Sequence, residues 1–159
     1  MKGFREKFAM GLLCIALGLP ATGLAADLNA PLSSTFQGYG GDVEYVGPRN
    51  GAIEVVVATH LRSWIACAPK EYMRTVGGFI YERLGGQTTA TAMREGLETR
   101  YPGNPVTKIA LLRVDRMGKG TAEALYEATH KDGTSVQRVL HLAQEAQGWR
   151  IVRVSRVRK

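Results

Sequence analysis

The chain has 159 residues, 45% of them hydrophobic, with 21 basic and 14 acidic side chains for a formal charge of +7. That length reads as one domain with enough apolar residues for a real core. Two cysteines exclude a disulfide-rich scaffold.

Lys2, Arg5 and Lys7 precede an apolar run from Phe8 to Leu19, and Leu24-Ala25-Ala26 supplies small residues where a signal peptidase cuts. The run is shorter than the roughly 20 residues that a bilayer span needs, so residues 1–26 read as a cleaved signal peptide and the mature protein as periplasmic or secreted. Cys14 lies inside the run behind Leu13, a poor lipoprotein signal, so no lipid anchor is expected. Removing three bases and one acid leaves +5, and Cys67 is left without a cysteine partner. A small buried thiol is its expected state.

Residues 27–50 carry Pro31, Ser33, Ser34, Gly38, Gly40, Gly41, Gly47 and Pro48, which interrupt any periodicity. They read as a flexible N-terminal arm ahead of one α+β domain at 51–159, with Asp42 to Val46 as a short strand added at an edge. From Ile53, apolar residues recur at three and four (Val56, Val57, Leu61, Trp64, Ile65), which predicts a helix. Pro69 suits the first turn of a second helix running to Gly85-Gly86, with a kink or close packing expected at Gly77-Gly78. A third spans about Thr89 to Arg100, closed by Pro102-Gly103.

Val106 to Lys159 reads as four antiparallel strands with turns at Gly118-Lys119-Gly120, Lys131-Asp132-Gly133-Thr134 and Gln147-Gly148. Ala122, Ala124, Tyr126, Ala128 and His130 share one face, and Thr121, Glu123, Leu125, Glu127 and Thr129 the other. In the next strand Val136, Leu140 and Leu142 make an aliphatic row interrupted by Arg138. The strand from Ile109 to Val114 is apolar at nearly every position, which predicts a central or doubly covered place. The expected fold is therefore N-terminal helices packed on a curved four-stranded antiparallel sheet.

That order, with Pro69-Lys70-Glu71-Tyr72-Met73 opening a helix, Tyr101-Pro102 closing the next and Gly148-Trp149-Arg150-Ile151 in the last hairpin, resembles the nuclear-transport-factor-2-like (cystatin-like) superfamily. It is most similar to small secreted bacterial members without a known function. The resemblance covers about residues 50–157 and implies a cone-shaped fold, which in the superfamily's isomerases and dehydratases holds an acid or His and a Tyr in an apolar pocket.

The residues available for such a role are His60, Tyr72, Tyr81, Asp115, Tyr126, His130 and His141, and none falls in a catalytic motif of the superfamily. His60 reads first as a hydrogen-bonded core histidine, Tyr72 and Tyr81 as core or rim aromatics, Asp115 as a solvated partner of Arg113 or Arg116, and His141 as exposed. The histidines lack metal-ligand spacing, and no cofactor is expected.

Arg150, Arg153, Arg156, Arg158 and Lys159 form a basic ending with no acid after Glu145. Strand parity puts Arg150, Arg156 and Arg158 on one side and Arg153 on the other. The expectation is a non-enzymatic binding or interaction module of the cell envelope. Its basic ending would meet an anionic surface, lipid headgroups or an acidic envelope protein, and its open sheet face would allow a homodimer. Nucleic acid is the poorer partner, because no aromatics interleave with the basic residues. The alternative is a small-molecule isomerase or dehydratase working in a cavity inside the cone.

Overall fold

A computed structural model describes residues 32–48 and 51–157. The expected signal peptide at 1–26, with Cys14, lies outside them, as do Arg158 and Lys159. The elements are β1 (Leu32–Gly38), β2 (Gly41–Gly47), α1 (Ala52–Ile65), α2 (Pro69–Met73), α3 (Gly78–Arg83), α4 (Ala90–Arg100), β3 (Val106–Gly118), β4 (Thr121–His130), β5 (Ser135–Glu145) and β6 (Gly148–Arg156).

The α+β class agrees with expectation, but the sheet does not. It has six strands in the order β1-β2-β3-β4-β5-β6, and β2 runs parallel to β3, so it is mixed rather than four-stranded and antiparallel. The helices do not precede the sheet; they form the crossover between the parallel pair, the kind of long connection that parallel strands require. Residues 27–50 contain both β1 and β2, and β2 is interior rather than an edge addition.

The hairpin is hard to see in sequence because only Val43 and Tyr45 face the core from β2, at 1% and 0% exposure. Phe36 on β1 is clamped over α1 by the Arg62 guanidinium, 5.2 Å from its ring. At the hairpin tip Gly40 lies against Pro105, and an added Cβ would come within 2.3 Å of the proline ring. Gly40→Ala is therefore expected to cost about 1–3 kcal/mol in thermal or denaturant melts, as overpacking does elsewhere.

Helix α1 buries Ile53, Val57, Leu61 and Ile65 against the sheet, following its three-four spacing. The single helix expected from Pro69 to Gly85 is instead two, with a turn at Arg74-Thr75 and extended backbone at Val76-Gly77 between them. That segment runs along β6: Ile151 N–H donates to Thr75 O (2.7 Å), Gly77 N–H donates to Ile151 O (3.0 Å), and Val76 bridges Ile151. A Cβ on Gly77 would come 2.8 Å from Arg150 Cβ, so the glycine permits the approach. Helix α4 starts where expected, with Thr89 Oγ1 accepting from Ala92 N–H at 3.1 Å. Cys67 is buried, and burial pushes its thiol up against the opposing charge of Arg94.

Strands β3 to β6 form the expected antiparallel meander. In the turn after β4, Asp132 Oδ1 accepts from Thr134 N–H (2.9 Å) and Oγ1–H (2.7 Å), which holds its carboxyl below the usual range. Ala122, Ala124, Tyr126, Ala128 and His130 all point into the core. The registers skip Thr107, Leu112 and Met117 in β3 and Val152 in β6, and such bulges bend and twist a sheet. Leu112 and Met117 are thereby turned out to 48% and 62% exposure, so β3 is central but covered on one face only.

Candidate functional site

Four cross-strand partners form one row on the helix-covered face: Leu111 on β3, Tyr126 on β4, Arg138 on β5 and Arg156 on β6. The neighbouring row, Ala124, Leu140 and Val154, marks where the helical cover ends: Ala124 and Leu140 are buried, whereas Val154 is 42% exposed. Arg138 is half-buried and Arg156 exposed at this uncovered corner.

Arg100, the last residue of α4, approaches from the helical side, its guanidinium 5.5 Å from the Trp64 ring. Arg100 and Arg138 both lie near enough to Tyr126 to favour its phenolate. Burial outweighs them and, with Tyr101 and Tyr72 nearby, keeps this hydroxyl protonated far above the ordinary tyrosine range. Beside Arg100 a recess of about 150 Å³ is lined by Trp64, Tyr72 and Met93. Beside Arg156 a shallow cleft of about 400 Å³ is lined by Val136, Gln137 and Val157, with Glu127, which accepts from Gln137, at its outward side.

Among the described residues, Arg100, Arg138 and Arg156 form no ion pair; the pairs present are Lys108–Glu44, Arg113–Asp115 and His141–Glu123. Two arginines directly opposite on adjacent strands repel each other, and only a shared anion turns that repulsion into attraction. Guanidinium forks match the paired oxygens of a carboxylate or phosphate, so the corner can hold such a group between β5 and β6.

The other arginines of the basic ending lie elsewhere. Arg150 is opposite Ala143, and Arg153 opposite His141, on the outward side, while Arg156 faces inward. The parity read from sequence fails because Val152 is a bulge, which shifts every later residue by one position. Arg150 Nη1–H donates to Trp149 O (3.0 Å) and Nη2–H to Gln147 Oε1 (3.4 Å). Arg138 and Arg100 were not singled out from sequence, although Arg138 stands out there as a charge in the aliphatic row of β5.

The seven acid-base candidates do not share a cavity. His60 is fully buried; Thr75 Oγ1–H donates to Tyr72 O (2.7 Å), so His60 Nδ1–H donates to Thr75 Oγ1 (2.9 Å). Burial drives its imidazolium down to about 3, and its ring lies 4.9 Å from that of Tyr72. A base that weak takes no proton near neutral pH. His130, 3% exposed, donates from Nδ1–H to Asn104 O (3.0 Å) and packs 4.3 Å from Tyr101. Tyr81 is exposed on α3, and Asp115 pairs with Arg113 at 2.6 Å. His141, on the outward face, touches Glu123 and Ser155. Among the described residues no three His, Cys, Asp or Glu side chains converge on a metal-sized site.

No protein-family model, curated protein or solved structure matches the chain.

Proposed function

We propose that this chain is an exported binding module that holds an anionic group, a phosphate or carboxylate, at the Arg138–Arg156 corner, with Arg100 and the Trp64–Tyr72 recess receiving the remainder of the ligand. The observation that carries this reading is the cross-strand arginine pair, neither member of which has an ion-pair partner among the described residues. The basic residues ahead of the apolar run at 8–19 support export. Side chains packed into the interior, where His60, Tyr72 and His130 meet other rings or backbone, support binding at the corner over chemistry in an interior cavity.

Titration with inorganic phosphate and citrate, and co-sedimentation with anionic as against neutral vesicles, test it. Each of Arg138→Gln and Arg156→Gln is expected to weaken retention about tenfold or more, since hydrogen bonds to charged groups contribute roughly 1.5–3 kcal/mol. Binding should also weaken with added salt. Equal retention by the double variant at low salt would overturn the site, whereas loss of vesicle binding with phosphate binding intact would restrict the ligand to a soluble anion.

A further inference from the structure

On the outward face, three strands bring together an acid, an imidazole and a hydroxyl that lie 14 and 18 residues apart in sequence. His141 Nδ1 is 3.1 Å from Glu123 Oε1, and His141 Nε2 is 2.8 Å from Ser155 Oγ. A carboxylate only accepts, so Nδ1 carries a hydrogen, and in the neutral imidazole Nε2 keeps its lone pair. In that form Ser155 Oγ–H donates to Nε2. This is the order of roles in a nucleophile–base–orienter relay, recognised by geometry rather than by chain order.

The ladder explains how the three meet. Glu123 and His141 are direct cross-strand partners, so their side chains share a face. Ser155 pairs with Val139 and reaches His141 on the diagonal, a placement that depends on the Val152 bulge. Without that bulge, Ser155 would point inward. All three are partly exposed, and Arg153, directly opposite His141, has no ion pair among the described residues.

We propose that Ser155 is an activated nucleophile, with His141 as its base and Glu123 as the positioning residue, and that it takes acyl groups from activated esters presented to the open sheet face. Ser155 Oγ bonds to the acyl carbon as its proton passes to His141 Nε2. The bond from that carbon to the leaving oxygen breaks, and the leaving alcohol departs with the Nε2 proton. Water then attacks the acyl-serine, giving its proton to Nε2; the carboxylic acid leaves and Ser155 regains its hydrogen. The Arg153 guanidinium supplies positive charge beside the reacting carbonyl. The site has no roof, so it suits small or protruding acyl groups with good leaving groups and should show weak saturation.

The full chain would be treated with p-nitrophenyl acetate, and in parallel with a fluorophosphonate probe followed by peptide mass spectrometry. The expected result is label on Ser155, none in Ser155→Ala, and acylation retained in Ser155→Cys. His141→Gln should slow labelling about a hundredfold, the range of general-base contributions. Glu123→Leu should lower kcat/KM and diminish the Nδ1–H tautomer in the imidazole ¹⁵N spectrum, an effect that a merely structural role would not have. Label spread over lysines and tyrosines, or reaction no faster than with the heat-denatured chain, would overturn the proposal, as would unchanged turnover in Ser155→Ala.

Discussion

Tyr45→Ala is expected to lower the stability of the folded chain by about 3–5 kcal/mol, the usual cost of truncating a buried aromatic side chain. Tyr45 is 0% exposed, lies in the interior strand β2, and pairs with Ile109 of β3 on one side and Ser34 of β1 on the other. The loss removes both apolar contact area and the wedge that holds the parallel pair beneath α1. Urea denaturation with a matched m-value is the check. A midpoint like that of the unmodified chain would mean that residues 32–47 are a dispensable arm, as their glycines and serines suggest, and that the sheet begins at β3.

Acid should destabilise the fold through His60 from about pH 6.5 downward. Its imidazolium is driven down to about 3 by burial, against an ordinary value of 6.5. Below pH 6.5 the unfolded chain binds a proton there that the folded chain does not accept until about pH 3, so stability is full above this window and falls as pH drops through it. The slope approaches roughly 1.4 kcal/mol per pH unit, or about 3 kcal/mol between pH 6.5 and 4. Asp132 and Glu44 are held low by hydrogen bonds from Thr134 and Ser33, and their contributions are lost only at lower pH. In His60→Gln the slope between pH 6.5 and 4.5 should flatten; equal slopes in the two proteins would mean that His60 is hydrated or charged in the fold.

The parts of the fold legible in sequence are those that local chemistry specifies. The Asp132-Gly133 turn closes on its own side chain, and the strict alternation of Ala122 to His130 leaves only one face to bury. The three-four spacing of α1 and the Thr89 cap of α4 are equally local. Of the hairpin β1–β2 only the strand at Asp42 to Val46 was legible; β1 and the interior place of β2 were not, because Val43 and Tyr45 gain their core from α1 and from β3, which lies beyond all four helices. The break at Thr75 to Gly77 was half legible: the glycines marked a weak helix, but only β6 offered the backbone partners that made an extended segment preferable.

The candidate sites divide in the same way. His141 and Arg156 stood out in sequence as residue types and Arg138 only as a charge interrupting an aliphatic row, whereas Ser155 did not stand out; Ser155 and Arg138 gain their chemical meaning from the strand beside them.

Sequence by itself determined the α+β class, the antiparallel meander of β3 to β6 and its turns, since each depends on residues within hydrogen-bonding reach along the chain. Only the tertiary structure decided the mixed six-stranded sheet, the interior place of β2 and the pairing of Arg138 with Arg156. It also set Ser155 beside His141. Those features rest on register, and the last two also on one unpaired residue, Val152, whose displacement reverses the faces of everything after it in β6. Register is chosen by total burial across the sheet, a sum over distant segments that no window of the sequence contains.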